Sequence, residues 1–160
     1  MNTLIVVMGV TGCGKSSVGS LIASRMAIPF FDADDFHPES NIRKMRAGNP
    51  LNDVDRQPWL ERLARLLHEH TGNGCVLACS ALKEKYRNIL HINDDVRFVY
   101  LKAQKDLITQ RVSSREGHFM PSVLVNSQFE ALEEPVEAIA VDAGLPLNEI
   151  VSQVLDAMDS

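Results

Sequence analysis

Eight consecutive residues, Gly9-Val10-Thr11-Gly12-Cys13-Gly14-Lys15-Ser16, fit the phosphate-binding pattern G-x-x-x-x-G-K-[ST] at every fixed position. The chemistry needs these residue types in this order. Glycines let successive backbone N–H groups turn inward around an anion, and a helix that starts where the loop ends adds the positive end of its dipole. Lys15 can then reach the β- and γ-phosphates, and Ser16 can ligate Mg²⁺. A tight glycine turn that binds nothing would explain the glycines alone, but not the flanks. Leu4–Met8 reads as a buried strand, and Val18, Leu21, Ile22 and Met26 recur at helical spacing. Gly9 to Ser17 is therefore predicted to bind a nucleoside triphosphate, which leaves open what is done with the phosphate.

A second segment, Phe30-Phe31-Asp32-Ala33-Asp34-Asp35-Phe36-His37-Pro38, gathers three carboxylates at the end of a predicted strand. Beside a triphosphate they need a positive partner. Mg²⁺ is the natural one, held through one or two carboxylates, waters and phosphates. A carboxylate there can also accept the proton of an attacking hydroxyl. In extended chain Asp32 and Asp34 point the same way and Asp35 points away, which favours the first two as functional. Acidic residues also suit a helix start, so Asp34 and Asp35 have a capping reading as well. His37 before Pro38 is either a turn residue or part of the site. The next apolar run, Val76-Leu77-Ala78-Cys79-Ser80, lacks the carboxylate that a third strand normally brings to the metal's water shell. Asp32 and Asp34 are the best substitutes. The chain has no D-x-x-G and no N-K-x-D, the elements of a guanine-nucleotide switch, and Ser17 stands where a dinucleotide fingerprint needs glycine.

Two basic segments complete the inventory. Arg56 follows Asp55 near a predicted helix start, where a guanidinium could grip a carboxylate in a bidentate fork or simply face solvent on a capped helix. Arg111 and Arg115 are four apart and share a helix face, with Gly117 and Pro121 bracketing the segment that follows. An arginine-bearing lid there, roughly residues 114–124, would neutralise a transferring phosphoryl group and exclude water. A surface helix end with basic residues at its C-terminus would look the same.

The elements that must position these residues are legible as an alternation. Strand-like runs at Leu4–Met8, Pro29–Asp32, Val76–Cys79, Val96–Leu101 and Ala138–Val141 are separated by helical patterns near 16–26, 38–47, 57–71, 83–90, 104–115, 122–132 and 147–158. This predicts one α/β domain over residues 1–160, with a five-stranded parallel sheet and helices on both faces. Right-handed crossovers place all strand C-termini on one edge, where Gly9–Ser16, Asp32–His37 and Ser80–Lys83 converge. The 160 residues carry 45% apolar and 23% charged side chains and a net charge of −5, without the basic balance of a nucleic-acid binder. No apolar run approaches the ~20 residues of a membrane span, and the first one runs directly into the phosphate loop, unlike a signal peptide. A cytoplasmic protein is expected. Its three cysteines, Cys13, Cys75 and Cys79, make neither a disulfide framework nor a zinc set, and the last two read as small core residues.

Taken together, these motifs resemble bacterial gluconokinases, small P-loop kinases related in fold to shikimate and nucleoside-monophosphate kinases. The phosphate loop is widely shared. His37-Pro38, Pro58-Trp59-Leu60, Ser80-Ala81-Leu82-Lys83 and Gly117-His118-Phe119-Met120 are much more specific in combination. So are Asp32-Ala33-Asp34, Asp55-Arg56, Tyr86-Arg87, Arg115 and Gln128-Phe129, and the similarity runs from residue 4 to about 150. The resemblance implies the P-loop NTPase fold with a mobile lid, and ATP- and Mg²⁺-dependent phosphorylation of D-gluconate to 6-phosphogluconate. It implies Lys15 and Ser16 on phosphates and metal, and Asp32 and Asp34 as the metal-shell and substrate-hydroxyl carboxylates. Arg111 would lie on adenine and Arg115 in the lid. His37, Arg56, Ser80, Lys83, Arg87, His118 and Gln128 would stand around the sugar acid. A homodimer is also implied. A kinase for shikimate, idonate or a nucleoside, or an ATP-binding regulatory domain without phosphotransfer, are the competing readings. Three residues depart from the pattern: acidic Glu116 in the lid, Cys13 in the loop, where oxidation becomes conceivable, and Asp35 as a third acid.

Overall fold

Strand β1, Leu4–Met8, is buried at every position, and its side chains divide by parity. Ile5 and Val7 enter one core while Leu4, Val6 and Met8 enter another, as the two-residue period of a strand requires. A strand covered on both faces has no use for a polar side, which is why this run is continuously apolar. The structure, a computed structural model, describes residues 3–113 and 122–159.

The described elements follow the predicted alternation. After β1 come α1 (Lys15–Met26), β2 (Phe30–Asp32), a 3-10 turn (Ala33–Phe36), α2 (Glu39–Arg46), α3 (Asp53–Glu69) and β3 (Cys75–Ala78). The chain continues through α4 (Glu84–Leu90), β4 (Val96–Lys102), α5 (Lys105–Ser113), α6 (Ser122–Ala131), β5 (Ile139–Asp142) and α7 (Leu147–Met158). The five strands form one parallel sheet in the order β2-β3-β1-β4-β5, with Val6 opposite Leu77 on one side and Phe98 on the other. On one face Val18, Ile22, Ile108, Ile150 and Val154 from α1, α5 and α7 pack together. On the other, Trp59, Leu60, Leu63, Tyr86 and Leu90 from α3 and α4 do so. All strands end on one edge, so the segments after β1, β2 and β3 meet there.

Two local features differ from expectation. Helix α3 begins at Asp53, four residues before the predicted start at 57. Asn52 accepts from the N–H of Asp55 at 2.8 Å and the Asp55 carboxylate accepts from the N–H of Asn52 at 3.0 Å, a reciprocal cap of the kind that contributes about 1 kcal/mol. Pro58 then lies inside the helix. The acceptor it leaves without a donor is the carbonyl of Val54, in the exposed first turn. Second, the chain is not extended through Asp34. It turns at Asp32, which caps the 3-10 turn by accepting from the N–H of Asp34 at 3.0 Å. Among the described residues, no helix is long and apolar enough to cross a membrane.

Candidate active site

The phosphate loop is shaped by two glycines in particular. Gly9 has φ 151°, and a Cβ there would meet Cys13 Sγ at 2.7 Å and the carbonyl of Leu101 at 3.0 Å, so the loop lies directly on the end of β4. Gly14 has φ 98° at the start of α1, a conformation that L side chains rarely adopt, and open space where its Cβ would be. The ammonium of Lys15 donates to the carbonyls of Gly9 and Val10, both at 3.0 Å, which holds it within the loop. The amide of Thr11 donates to Gln128 Oε1 at 2.7 Å, bringing α6 over the loop. The loop, Asp32, Asp34, Ser80 and Gln128 line one cleft of about 310 Å³. A larger groove of about 640 Å³, between α4 and residues 133–139, contains none of the loop or carboxylate groups and is not the site of this chemistry.

Both carboxylates favoured by sequence are in the cleft, although the extended geometry that suggested them is not there. Asp32 Oδ2 accepts from the Ser16 hydroxyl at 2.8 Å while Oδ1 caps the turn, so the turn itself delivers Asp34 to the cleft. Asp35 is exposed and does not line it. Asp34 keeps a solvent-facing side, yet the surrounding protein, and then the neighbouring charge of Asp32, raise its carboxyl above the ordinary range. His37 and Lys15 pull it down and Asp35 pushes it up. The result is a carboxylate with increased basicity beside a phosphate loop. The oxygen set of Ser16 and Asp32 is hard and small, as Mg²⁺ requires when phosphates and water supply the other ligands. Among the described residues no group of three or more His, Cys, Asp or Glu forms a protein-only metal cage.

His37 is packed into the fold rather than standing in a bare turn. It is 9% exposed and stacked on Trp59, with ring centroids 4.2 Å apart and planes 15° from parallel. Burial lowers its proton affinity, Asp34 raises it and Arg56 lowers it further. Trp59, expected in the core, is there and also supports this ring. Arg56 reaches across to α4, where Nη1 donates to the Tyr86 hydroxyl at 3.3 Å and the guanidinium lies 5.6 Å from the ring centre. Lys83 flanks the same ring at 5.8 Å and pairs with Asp53 at 3.9 Å. Asp53 also accepts from the Tyr86 hydroxyl at 2.5 Å and from Lys85. These contacts hold its carboxyl at about 2, chiefly through the bonds from Lys85 and Tyr86. Asp55 caps α3 and pairs with Lys44 at 2.5 Å, which lowers its carboxyl as well.

Other sequence candidates are placed differently. Arg87 is buried and donates to the carbonyls of Ala81 at 2.8 Å, Leu82 at 3.1 Å and Glu133 at 2.7 Å. Ala81 has φ 43°, a left-handed conformation costing a non-glycine residue about 1 kcal/mol, so Arg87 braces a strained turn. The guanidinium is directed into backbone carbonyls, and Arg87 does not line the phosphate cleft. Arg111 donates to Gly12 and Cys13 carbonyls at 3.3 Å and to Ala143 at 2.7 Å, tying the phosphate loop to the turn after β5. Cys13 is buried, and burial raises its thiol despite Lys15 and Arg111 nearby, which opposes the thiolate that oxidation needs. Cys75 and Cys79 are buried core thiols pushed up to about 11 and about 12. The expectations for Arg115, Glu116 and His118 lie outside the described residues. Asp53 and Asn41 were not singled out from sequence. No local signal marks them, because the contacts that matter come from other elements.

The chain is similar to known kinases along most of its length. The shikimate kinase family model matches residues 11–157. The thermoresistant gluconokinase of Escherichia coli (strain K12) is 40% identical over 162 residues, covering 97% of this chain and 93% of the relative. The crystal structure of a gluconokinase from Sinorhizobium meliloti 1021 superposes with a TM-score of 0.91 at 44% identity, over 99% of this chain and 92% of that one. The shikimate kinase of Aquifex aeolicus vf5, 18% identical with a TM-score of 0.62 over 98% of this chain and 96% of that one, shares the fold.

Proposed function

The chain belongs to the gluconokinase family, and on that premise we propose that it transfers the γ-phosphoryl group of ATP to the 6-hydroxyl of D-gluconate, giving 6-phosphogluconate and ADP. The observation that carries the reading is Asp34, a carboxylate of raised basicity in the same cleft as the phosphate loop. An ATP-binding regulatory domain has no use for a base at that place. Asp34 takes the proton of the attacking hydroxyl as its oxygen bonds to phosphorus and the bond to the ADP oxygen breaks. Lys15 leaves the carbonyls of Gly9 and Val10 to neutralise charge on the transferring group. Ser16 and Asp32 would hold Mg²⁺, which supplies further charge neutralisation on the phosphates when bound. Arg56 and Lys83, cations flanking the Tyr86 ring, suit the single carboxylate of a sugar acid.

In this reading the whole chain is one kinase domain, acting in the cytoplasm as a homodimer. Light scattering at working concentration checks the dimer. The activity test is ADP formation with Mg-ATP against D-gluconate, L-idonate, shikimate, glucose and nucleoside monophosphates. Turnover with gluconate far above the others is expected. Turnover with a different acceptor overturns the substrate, and binding of ATP without turnover on any acceptor overturns the kinase.

A further inference from the structure

Asn41 is an amide in the interior side of α2, 3% exposed. A buried amide is stable only when its hydrogen bonds are made. Nδ2 donates to the carbonyl of Asp55 at 2.9 Å, and because a carbonyl can only accept, this contact fixes which end of the amide is nitrogen. The same nitrogen meets His37 Nδ1 at 3.3 Å. A ring nitrogen that accepts a hydrogen bond carries no proton, so His37 is the tautomer with hydrogen on Nε2. The ring cannot turn freely. It stacks on Trp59, whose own Nε1 donates to the carbonyl of Ala33 at 2.7 Å. Among the described residues Nε2 has no protein partner, and no buried side-chain nitrogen or oxygen lacks one, so Nε2 is the open edge of the ring. Asp34 and Arg56 are the charged groups near enough to act on that ring.

We propose that Asn41 is a positioning residue. It holds His37 as a neutral Nε2–H donor next to the Asp34 acceptor, so that the pair offers one donor and one acceptor to adjacent oxygens of a polyol chain. A hydroxyl oxygen accepts from His37 while its neighbour gives its proton to Asp34. The opposite tautomer would present a lone pair to the same oxygen, so the hydroxyl would have to donate rather than accept, reversing the polarity of the pair. The tautomer follows from contacts within the protein, whereas its use on the acceptor rests on the sugar-acid reading, so the two are tested separately.

Long-range ¹H–¹⁵N correlation of ¹⁵N-histidine protein, with His37 assigned by its loss in His37→Gln, reads the tautomer without any substrate. A pyridine-like Nδ1 and pyrrole-like Nε2 are expected. The reverse pattern, or a mixture of both, overturns the proposal even if gluconate is the substrate. Asn41→Asp, whose carboxylate demands a proton from Nδ1, is expected to move that pattern and raise KM for gluconate about tenfold while KM for ATP changes less than about twofold. Equal changes in both constants, tracking a lower melting temperature, would mean a purely structural amide and overturn it. His37→Leu and His37→Gln repeat the test without touching the Asp55 carbonyl. The glutamine amide can donate where Nε2–H does, so it should recover most of the gluconate affinity that leucine loses. A glutamine variant as weak as leucine would also overturn the proposal. If gluconate fails as acceptor while the tautomer is as expected, the fault lies with the substrate and the variants are measured on the acceptor that turns over.

Discussion

The phosphate side and the acceptor side of the cleft are built by different means. The phosphate side is one continuous segment, Gly9–Ser17, between β1 and the first turns of α1, and its recognition groups are mostly backbone amides. On the proposed reading the acceptor side is assembled from side chains: Asp34 in the turn after β2, His37 and Asn41 at α2, Arg56 on α3, and Lys83 and Tyr86 at α4. These residues hold one another, through Asn41 to His37 at 3.3 Å and Arg56 to Tyr86 at 3.3 Å. A triphosphate is the same in every reaction of its class, so a backbone cradle suffices. An acceptor differs from enzyme to enzyme, and only side chains can discriminate. Substitutions on the acceptor side should therefore separate the two substrates, whereas the groups that meet at the transferred phosphoryl should affect turnover itself.

The largest effects should come from the two residues at the boundary. Lys15→Ala removes the ammonium now bonded to Gly9 and Val10, and kcat should fall about 10²–10³-fold with the fold retained. A near-normal kcat would detach the loop from the chemistry. Asp34→Asn should lower kcat about 10²-fold by removing the base. Its effect on stability has the opposite sign. Asp34 is an acid whose folded proton affinity is raised, so its ionisation opposes folding once pH rises above its folded value. The neutral amide of the Asp34→Asn variant relieves this, and the melting temperature should rise at pH 7, by roughly 2–4 °C for each kcal/mol relieved. The gain should vanish below about pH 4, where Asp34 is protonated in both states. An unaltered melting temperature at both pH values would show that neither the desolvation of Asp34 nor its crowding with Asp32 is felt.

The same division explains what could be read from sequence. β1 and the loop were legible because every necessary residue lies within a few positions of the next, and a strand buried on both faces announces itself as an unbroken apolar run. Asp32 and Asp34 were found, but for an incomplete reason, since the Asp32 cap turns the chain where extended backbone was expected. The start of α3 was missed because Pro58 resembles a first-turn proline, while the boundary is set by the reciprocal Asn52–Asp55 cap. The bracing contacts of Arg87 could not be read, because a pattern of residues does not show that Ala81 adopts φ 43° and leaves carbonyls to be braced. The packing of His37 comes from Trp59, on a different helix. Non-local packing supplied what spacing could not.

Arg56→Ala tests the acceptor side directly. A hydrogen bond to a charged group is typically worth about 1.5–3 kcal/mol, so KM for gluconate should rise roughly 10- to 100-fold. KM for ATP should stay within about twofold, because Arg56 does not line the phosphate cleft. Equal losses for both substrates would join the two sides into one unit, and an unchanged gluconate KM would move the carboxylate clamp to Lys83.

Asp53→Asn should produce the smallest and most informative change. Asp53 touches neither the loop nor Asp34, yet it accepts from Tyr86 at 2.5 Å and pairs with Lys83 and Lys85. Three cations, Arg56, Lys83 and Lys85, lie within 5.9 Å of the centre of the Tyr86 ring, and Asp53 is the carboxylate that draws two of them together. Its carboxyl is held near 2 against an ordinary 3.8, so any stability it adds is complete above about pH 4 and is lost as pH falls from 3.8 towards 2. The pairs are exposed to solvent, which screens them, and the melting temperature at pH 7 should move by less than about 2 °C. Orientation is a different matter. Without the carboxylate, Lys83 and Tyr86 lose their anchor beside Arg56, and KM for gluconate should rise about two- to threefold at low salt while KM for ATP stays level. At about 0.5 M salt wild type and variant should converge, because screening already removes the anchor from both. A change shared equally by ATP would mean that even this outer carboxylate acts through the whole cleft, and the division between a backbone cradle and a side-chain acceptor site would have to be abandoned.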